Sequence, residues 1–351
     1  MKVFTEKFKA QDYLEKGLSQ AVIDNDATSA YGIVMDVDTG AILAMASMDN
    51  YDLNDPQAFT DEEKAELEEA YPDDIAARSA ARNSILFARW RNFIVSDRYE
   101  PGSVFKIITA AAALEENAVE MDMNYYCSGK IQVSDRTIKC HKRSGHGSQD
   151  FTAGLMNSCN PYFVTVGQKL GKEKFFEYFE AFGFTEKTNI DLPAESMPVA
   201  GVNYHSLDKM GIVELSSSSF GQSFQVTPIQ MITAISAIAN GGHLMTPYLV
   251  QKQLDEGGNV IKETQPVERR QVISEQTAAA VAEMMERYKK FADLNVRDLK
   301  GFNKKEQELL SDIINLLKEK LSSDKTKDTY NTYLYLFHFL QSMETTDELK
   351  Y

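Results

Sequence analysis

Residues 99–114 of this chain read YEPGSVFKIITAAAAL, an apolar run that follows a Pro-Gly turn. Pro101-Gly102 marks the turn, Ser103 can begin or cap a helix, and the run from Val104 to Leu114 is apolar enough to form a helix buried on all sides. Lys106 is the single charged residue within that run. Because burying an unpaired ammonium is costly, we expect Lys106 either to have a polar partner or to be neutral.

Ser103 and Lys106 stand three residues apart, which places both side chains on one helical face. A desolvated lysine in that position could remove the hydroxyl proton of the serine and leave it nucleophilic. The structural alternative is a capping serine beside a lysine whose amine extends to water. The same Ser-x-x-Lys spacing recurs at Ser206–Lys209 and Ser322–Lys325, in polar surroundings where solvated side chains explain it.

The composition indicates one large globular domain or two smaller ones. The 351 residues are 43% hydrophobic and 25% charged, which provides ample core. The formal net charge is -15 and no block of Lys or Arg could form a nucleic-acid footprint, so nucleic acid is not an expected partner. No apolar run reaches about eighteen residues, and the first residues are charged, so we expect neither a signal peptide nor a membrane anchor in this chain.

Hydrophobic patterning predicts further elements along the chain. Apolar positions at helical spacing predict an amphipathic helix at residues 10–23, and two apolar runs around Asp38-Thr39-Gly40 predict a β-hairpin at residues 32–47. Farther along, the same criteria predict a strand at residues 247–253 and a helix at residues 276–285.

A second polar motif interrupts the helical pattern of residues 151–169. This motif is Met156-Asn157-Ser158-Cys159-Asn160-Pro161. Because proline is tolerated in the first turn of a helix, Ser158 and Asn160 should project from a loop at a helix start. Such a loop could direct both side chains into a cleft, or the two residues could merely cap the helix.

Three cysteines are present, Cys127, Cys140 and Cys159. Cys127 and Cys140 flank a short polar, glycine-containing stretch, which is compatible with a hairpin closed by a disulfide and equally with two free thiols. His141 and His146 lie close to Cys140 in the sequence. Because there is neither a Cys-x-x-Cys pair nor a His-x-x-x-His helix, we expect no metal site.

Taken in order, these motifs resemble the transpeptidase domain of class B penicillin-binding proteins, the membrane-bound enzymes that cross-link peptidoglycan. The resemblance runs from about residue 9 to about residue 287, and Ser-x-x-Lys and Ser-x-Asn belong to the signature of that superfamily. Besides the hairpin, it rests on the stretches Tyr99–Lys106, Ser158–Asn160, Gly183–Pro193 and Gly221–Pro247. It implies an α/β (α+β) fold of the penicillin-binding transpeptidase or serine β-lactamase type, in which helices flank an antiparallel sheet.

The resemblance also implies roles for four residues. Ser103 would attack the D-Ala-D-Ala carbonyl of a peptidoglycan stem peptide, form an acyl-enzyme and pass it to an amine of a neighbouring strand. β-Lactam antibiotics would trap the same serine. Lys106 would act as its base, Ser158 would carry a proton to the leaving group, and Asn160 would hold the substrate amide. No cofactor is implied, no protein partner is indicated, and the family's place is the outer face of the bacterial plasma membrane.

The sequence departs from the family pattern after its second motif. Lys187-Thr188-Asn189 lies upstream of the place of the third motif, Lys-Thr-Gly, and Lys325-Thr326-Lys327 lies in a charged turn without a strand. We therefore expect an incomplete sheet, a transpeptidase-like domain at residues 1–287, and an unrelated helical tail at residues 288–351, where leucine and isoleucine recur at helical spacing.

Two functions are consistent with this pattern. The first is an acyl-transferring serine enzyme of the transpeptidase type, for which a serine β-lactamase or a D,D-carboxypeptidase is the nearest variant. The second is a catalytically impaired remnant or binding module that keeps the helical core but lacks the Lys-Thr-Gly strand. The resemblance also places Cys127 and Cys140 where some family members have a cysteine-bearing hairpin.

Overall fold

A computed structural model describes residues 2–48 and 51–296. The helices are α1 (Lys2–Asn25), α2 (Asp61–Ala70), α3 (Ile75–Trp90), α4 (Phe93–Ser96), α5 (Lys106–Glu115), α6 (Phe151–Met156), α7 (Asn160–Leu170), α8 (Lys172–Ala181), α9 (Ile212–Ser218), α10 (Pro228–Ala239) and α11 (Glu275–Val296). The strands are β1 (Tyr31–Met35), β2 (Ile42–Ser47), β3 (Tyr125–Cys127), β4 (Lys130–Val133), β5 (Arg136–Lys139), β6 (Gly147–Gln149), β7 (His243–Met245), β8 (Lys252–Leu254), β9 (Val260–Glu263) and β10 (Glu268–Gln271). The fold is therefore mixed α/β, as predicted.

Helix α5 lies at the centre of the main core, in contact with α7, α8, α10 and α11. Every residue from Lys106 to Ala113 is buried, which confirms the prediction of a helix enclosed on all sides. Its alanines, which carry little side-chain volume, let neighbouring helices approach closely. Just before α5, the ring of Phe105 packs among the rings of Phe175, Phe179, Phe184 and Phe224, at centroid distances from 4.7 to 6.1 Å.

The N-terminal part consists of α1 packed on the β1–β2 hairpin. The strands pair antiparallel from Tyr31 opposite Ser47 to Met35 opposite Ile42, which confirms the predicted hairpin. Leu14 of α1 is buried against this hairpin. A Cβ atom on Gly32 would lie only 2.6 Å from Cδ1 of that leucine, so the small residue lets helix and strand come together.

The strands form separate two-stranded antiparallel pairs throughout the described residues, β1–β2, β3–β6, β4–β5, β7–β10 and β8–β9. The predicted strand at residues 247–253 is largely wrong, because β8 begins only at Lys252. The carboxylate of Asp191 accepts the backbone N–H groups of Leu249 and Val250 at 2.6 and 2.9 Å, which withdraws these donors from strand pairing.

Helix α11 runs through the predicted boundary between a domain at residues 1–287 and a tail at residues 288–351. Its last residue is Val296, so most of the predicted tail lies outside the described residues, and the domain division stays a prediction. Among the described residues, no helix combines the length and apolar character needed to span a membrane.

Candidate active site

The turn that precedes Ser103 is fixed by a segment from a distant part of the chain. Tyr99 and Val226 exchange two backbone hydrogen bonds of 3.0 Å, and the N–H of Gly102 donates to the carbonyl of Gly221 at 2.9 Å. Gly221 has a φ of +88°, and a Cβ atom there would lie 1.9 Å from the Gly102 oxygen. Glycine is therefore required at this crossing, which sets the position of the serine.

Ser103 and Lys106 meet because the chain enters α5 through a 3₁₀ turn, Gly102–Phe105. Side chains three residues apart eclipse one another in a 3₁₀ turn, and Nζ of Lys106 lies 2.9 Å from Oγ of Ser103. Neither this turn nor α5 has a side-chain cap, so Ser103 is not a capping serine. The serine is exposed, whereas Lys106 is only 1% exposed and does not extend to water.

The amine of Lys106 is surrounded by oxygen atoms. Nζ lies 2.7 Å from the Ser158 carbonyl oxygen, 2.7 Å from Oδ1 of Asn160, and 2.9 Å from Oγ of Ser158, in addition to Oγ of Ser103. The structure thus brings together all four residues for which the family resemblance implies catalytic roles. It also supplies the polar partners expected for a buried lysine.

Two of these oxygens can only accept hydrogen bonds, whereas the two hydroxyls can accept or donate. A neutral amine has two N–H groups, which match the Ser158 carbonyl and Asn160 Oδ1, and one lone pair, which is then left for a hydroxyl proton. Burial lowers the pKa of Lys106 from its usual value to about 7, while nearby Cys159 and Cys140 act in the opposite direction. At neutral pH a substantial fraction of the amine is therefore able to accept a proton.

Ser158 occupies a strained backbone position between α6 and α7. Its φ is +46°, a left-handed conformation in which glycine is the usual residue at the end of a helix. Cys159 precedes α7 as its N-terminal flanking residue and makes no capping hydrogen bond, and Pro161 occupies the first turn, as predicted. Ser158 and Asn160 are thus not caps, because their side-chain oxygens face Lys106.

The Lys-Thr-Asn stretch at residues 187–189 does not join this cluster. The hydroxyl and backbone N–H of Thr188, in the Lys-Thr-Asn stretch, both donate to Oε1 of Glu195 at 2.6 Å. This stretch is irregular backbone held by a buried carboxylate rather than a strand. Lys325-Thr326-Lys327 and Ser322 lie outside the described residues.

A second cluster lies next to the loop between α6 and α7 that carries Ser158, called the Ser158 loop below. Cys127, Cys140 and Cys159 are buried free thiols, and with His146 they form a group of possible metal ligands whose donor atoms all lie within 4.8 Å of one another. The sequence pointed only to the proximity of Cys127 and Cys140. It did not predict that His146 and Cys159 join them, although all three cysteines and two of the five histidines fall within residues 127–159.

Comparison with known proteins shows which family this chain resembles. The family model for the penicillin binding protein transpeptidase domain matches residues 30–294. Stage V sporulation protein D of Bacillus subtilis is 36% identical over 280 residues, which cover 79% of this chain and 39% of that protein. Penicillin-binding protein PbpB of Mycobacterium tuberculosis is 27% identical over 277 residues, which cover 78% and 36%. The chain thus spans well under half the length of these relatives.

Solved structures show the same fold. Penicillin-binding protein 3 of Mycobacterium tuberculosis, complexed with aztreonam, superposes with a TM-score of 0.63 at 26% identity. The match covers 78% of this chain and 55% of that chain. The D,D-transpeptidase domain of a peptidoglycan glycosyltransferase from Eggerthella lenta gives a TM-score of 0.61 at 27% identity, with coverage of 78% and 63%.

Proposed function

The chain belongs to the penicillin-binding protein transpeptidase family, and on that premise we propose that it performs acyl transfer of the peptidoglycan D,D-transpeptidase type through an acyl-enzyme on Ser103. The observation that carries the proposal is the buried Lys106 amine, which lies 2.9 Å from the hydroxyls of both Ser103 and Ser158. A base with a pKa near neutrality, in hydrogen-bond reach of an exposed serine, is the arrangement that nucleophilic catalysis requires.

The first half-reaction would use these groups in sequence. Lys106 takes the hydroxyl proton of Ser103, and Oγ attacks the carbonyl carbon of a stem peptide or of a β-lactam. A C–O bond forms and the C–N bond to the leaving amine breaks. The Ser158 hydroxyl gives its proton to that amine and regains one from Lys106, so charge and protons balance. The N–H of Ser103 lies in the first turn, where backbone donors lack helical partners and can face a developing oxyanion.

The second half-reaction would reverse these roles. An amine from a neighbouring peptide strand attacks the ester, loses its proton through Ser158 and Lys106, and returns Oγ of Ser103 to the hydroxyl form. Asn160 holds one side of this site, because its Oδ1 contacts Lys106 while its Nδ2 donates to the Lys139 carbonyl at 3.3 Å. In this proposal the domain acts where stem peptides are, on the outer face of the plasma membrane.

A second candidate function is β-lactam or peptide binding without turnover. It is favoured by one observation, the absence of a Lys-Thr-Gly motif from the sequence. In the family that strand supplies one oxyanion donor and a cation for the substrate carboxylate. Removing a single oxyanion donor typically slows catalysis about 100-fold to 1000-fold, so the loss of both groups would leave a slow or inactive protein.

The test is intact-mass spectrometry of the purified chain after incubation with a penicillin. We expect one penicilloyl group on the native chain and on the Ser206→Ala control, and none on Ser103→Ala. The control removes the serine of the second Ser-x-x-Lys copy, so it accounts for nonspecific acylation. A folded native chain that forms no adduct at high drug concentration would refute the acyl-enzyme. Release of D-Ala from a stem-peptide analogue then separates turnover from binding.

A further inference from the structure

Four donor atoms from four segments of the chain converge beside the Ser158 loop. Cys127 ends β3, Cys140 follows β5, His146 precedes β6, and Cys159 lies between α6 and α7. All four donor atoms lie within 4.8 Å of one another, and Sγ of Cys140 is 3.5 Å from Nδ1 of His146. The three cysteines are buried and His146 is half-buried, so the group is enclosed by protein on most sides.

We propose that Cys127, Cys140, His146 and Cys159 bind one zinc ion. Three thiolates and one imidazole form a donor set that zinc prefers, and tetrahedral zinc with bonds of about 2.0 to 2.3 Å places its ligand atoms about 3.5 to 3.8 Å apart. The observed limit of 4.8 Å therefore exceeds the bound spacing by roughly 1 Å. On binding, the three thiols release their protons to solvent, and the sulfur atoms become thiolates.

Groups around the cluster fit a bound ion. The N–H of Gly129 donates to Sγ of Cys127 at 3.4 Å, a contact that would persist with a metal-bound thiolate. Gln149 is only 4% exposed, and its Nε2 has no hydrogen-bond partner within the part of the chain that the structure describes. Burial raises the pKa of the Cys159 thiol, whereas this adjoining amide acts in the opposite direction. A zinc-bound Cys159 would thus provide an acceptor for a buried donor.

The backbone is also shaped to bring these segments together. Gly145 has a φ of +78°, and a Cβ atom there would lie 2.1 Å from the carbonyl oxygen of Cys127. Gly129 has a φ of +91°, and its Cβ atom would lie 2.1 Å from the carbonyl oxygen of Arg143. The loop that carries His146 can therefore lie directly against the end of β3 only because both positions are glycine.

A disulfide between Cys127 and Cys140 is the competing arrangement. It would use two of the four donors. It would not account for the thiol of Cys159 and the ring of His146, which lie close to the other two. A metal ion uses all four. The zinc proposal therefore accounts for more of the observed geometry, and the two arrangements differ in a quantity that can be measured, the number of thiols released by a chelator.

Zinc would fasten the loop of the proposed active site to the β3–β6 and β4–β5 pairs. Cys159 stands between Ser158 and Asn160, the residues whose oxygens contact Lys106. The Lys139 carbonyl, immediately before Cys140, accepts the amide of Asn160 at 3.3 Å. The metal would thus act as a positioning group for Ser158 and Asn160. This consequence rests on the proposed function, whereas zinc binding itself does not.

The experiment is metal analysis of the full chain, purified with zinc and without chelator or reductant. We expect about one zinc per chain, retained on dialysis, and three thiols that react only after a chelator is added. Cobalt substituted for zinc should give the intense visible absorption of a tetrahedral thiolate complex. His146→Gln and Cys127→Ser should each weaken zinc binding by at least about 100-fold.

His141→Gln is the matched control, because His141 adjoins Cys140 but does not belong to the group of four donors. It should keep one zinc per chain. The proposal is overturned if the native chain retains no metal, if it holds a disulfide with one free thiol, or if His146→Gln binds zinc as the native chain does. The cobalt spectrum of the native chain does not depend on whether any variant folds.

Acylation separates this proposal from the proposed function. If the native chain binds zinc but forms no penicilloyl adduct, the metal site stands and the acyl-enzyme fails. If both occur, His146→Gln should acylate at least about tenfold more slowly while its circular dichroism spectrum stays native. An acylation rate equal to that of the His141→Gln control would show that the metal does not position Ser158 and Asn160.

Discussion

Ser103–Lys106 and Ser206–Lys209 have the same sequence spacing but different surroundings. Nζ of Lys106 is enclosed by oxygens of Ser103, Ser158 and Asn160, and the residue is 1% exposed. The side chain of Lys209 is 76% exposed, with its amine 3.8 Å from Asp208. The hydroxyl of Ser206 donates to the same aspartate at 2.5 Å rather than to the lysine. The spacing brings serine and lysine together only where the backbone and the core hold both.

The difference arises from the segment on the C-terminal side of each serine. After Ser103 the chain enters α5, whose buried run desolvates the lysine. The Ser206–Lys209 stretch is a surface turn that precedes α9, and its lysine keeps contact with water. An exposed ion pair contributes little, whereas a buried amine must find partners or lose its charge. Of these two copies, chemistry is therefore expected only in the first.

The largest expected difference between the two copies comes from replacing the lysine of each one by methionine. Lys106→Met fills a similar volume without an amine, so acylation of Ser103 by a penicillin should slow about 100-fold to 10,000-fold, the usual contribution of a general base. Lys209→Met should acylate at the native rate. Stopped-flow measurement of the acylation rate constant checks both. If the two variants slowed equally, burial would not be what distinguishes the copies.

A second test concerns the backbone that supports each copy. Gly221→Ala adds a Cβ atom 1.9 Å from the Gly102 oxygen at a φ of +88°, so we expect the free energy of unfolding to fall by about 3 kcal/mol. Gly201, ahead of Ser206, also has a positive φ, +76°, but a Cβ atom there meets nothing within 4 Å. Gly201→Ala should lose only about 1 kcal/mol.

Urea denaturation of both variants measures this difference. Equal losses would mean that the crossing between Gly102 and Gly221 relaxes freely and does not hold the turn before Ser103. We also expect Gly221→Ala to acylate more slowly under conditions where it is still folded, because the displaced Gly102 directly precedes the serine. Gly201→Ala should retain the native rate.

The third test uses pH. Burial lowers the pKa of Lys106 to about 7, and only the neutral amine can accept the serine proton. Below that value the neutral fraction falls tenfold for each pH unit, so the acylation rate should rise by about tenfold per unit up to pH 7 and then level off. Cys140 and Cys159 act on the pKa of Lys106, and both belong to the proposed zinc site. The rates are therefore compared between samples of equal metal content. A rate constant that does not change between about pH 5.5 and 7 would contradict a neutral lysine base.

The elements that the sequence predicted correctly depend on residues close together in the chain. The hairpin follows from two apolar runs around Asp38-Thr39-Gly40, and the buried helix follows from the apolar run at residues 104–114. The contact between Ser103 and Lys106 likewise requires only one turn of backbone. The meeting of Lys106 with Ser158 and Asn160 was implied by family resemblance, because local patterning cannot show which distant loop a helix faces.

The features that the sequence did not predict depend on contacts between distant segments. His146 comes next to Cys127 because β3 pairs with β6, and Cys159 joins them because α7 packs against β3 and β5. No local spacing between these four residues predicts either contact. The absence of a strand at Pro247–Val250 has a similar origin, since Asp191, far away in the chain, takes two of the backbone donors. Concentration of cysteine and histidine within one segment is the compositional signal that could have indicated the cluster.

The smallest expected effect is a gain in stability at Ser158. Its φ of +46° is strained for a residue with a Cβ atom, so Ser158→Gly should raise the free energy of unfolding by about 1 kcal/mol. Ser134, in the turn between β4 and β5, has a φ of +52° and provides the matched control, Ser134→Gly. Both variants should gain stability in urea denaturation, but only Ser158→Gly should lose acylation, because it removes a hydroxyl that contacts Lys106. If Ser158→Gly gained stability and acylated at the native rate, the strained serine would have no part in the chemistry that separates the first Ser-x-x-Lys copy from the second.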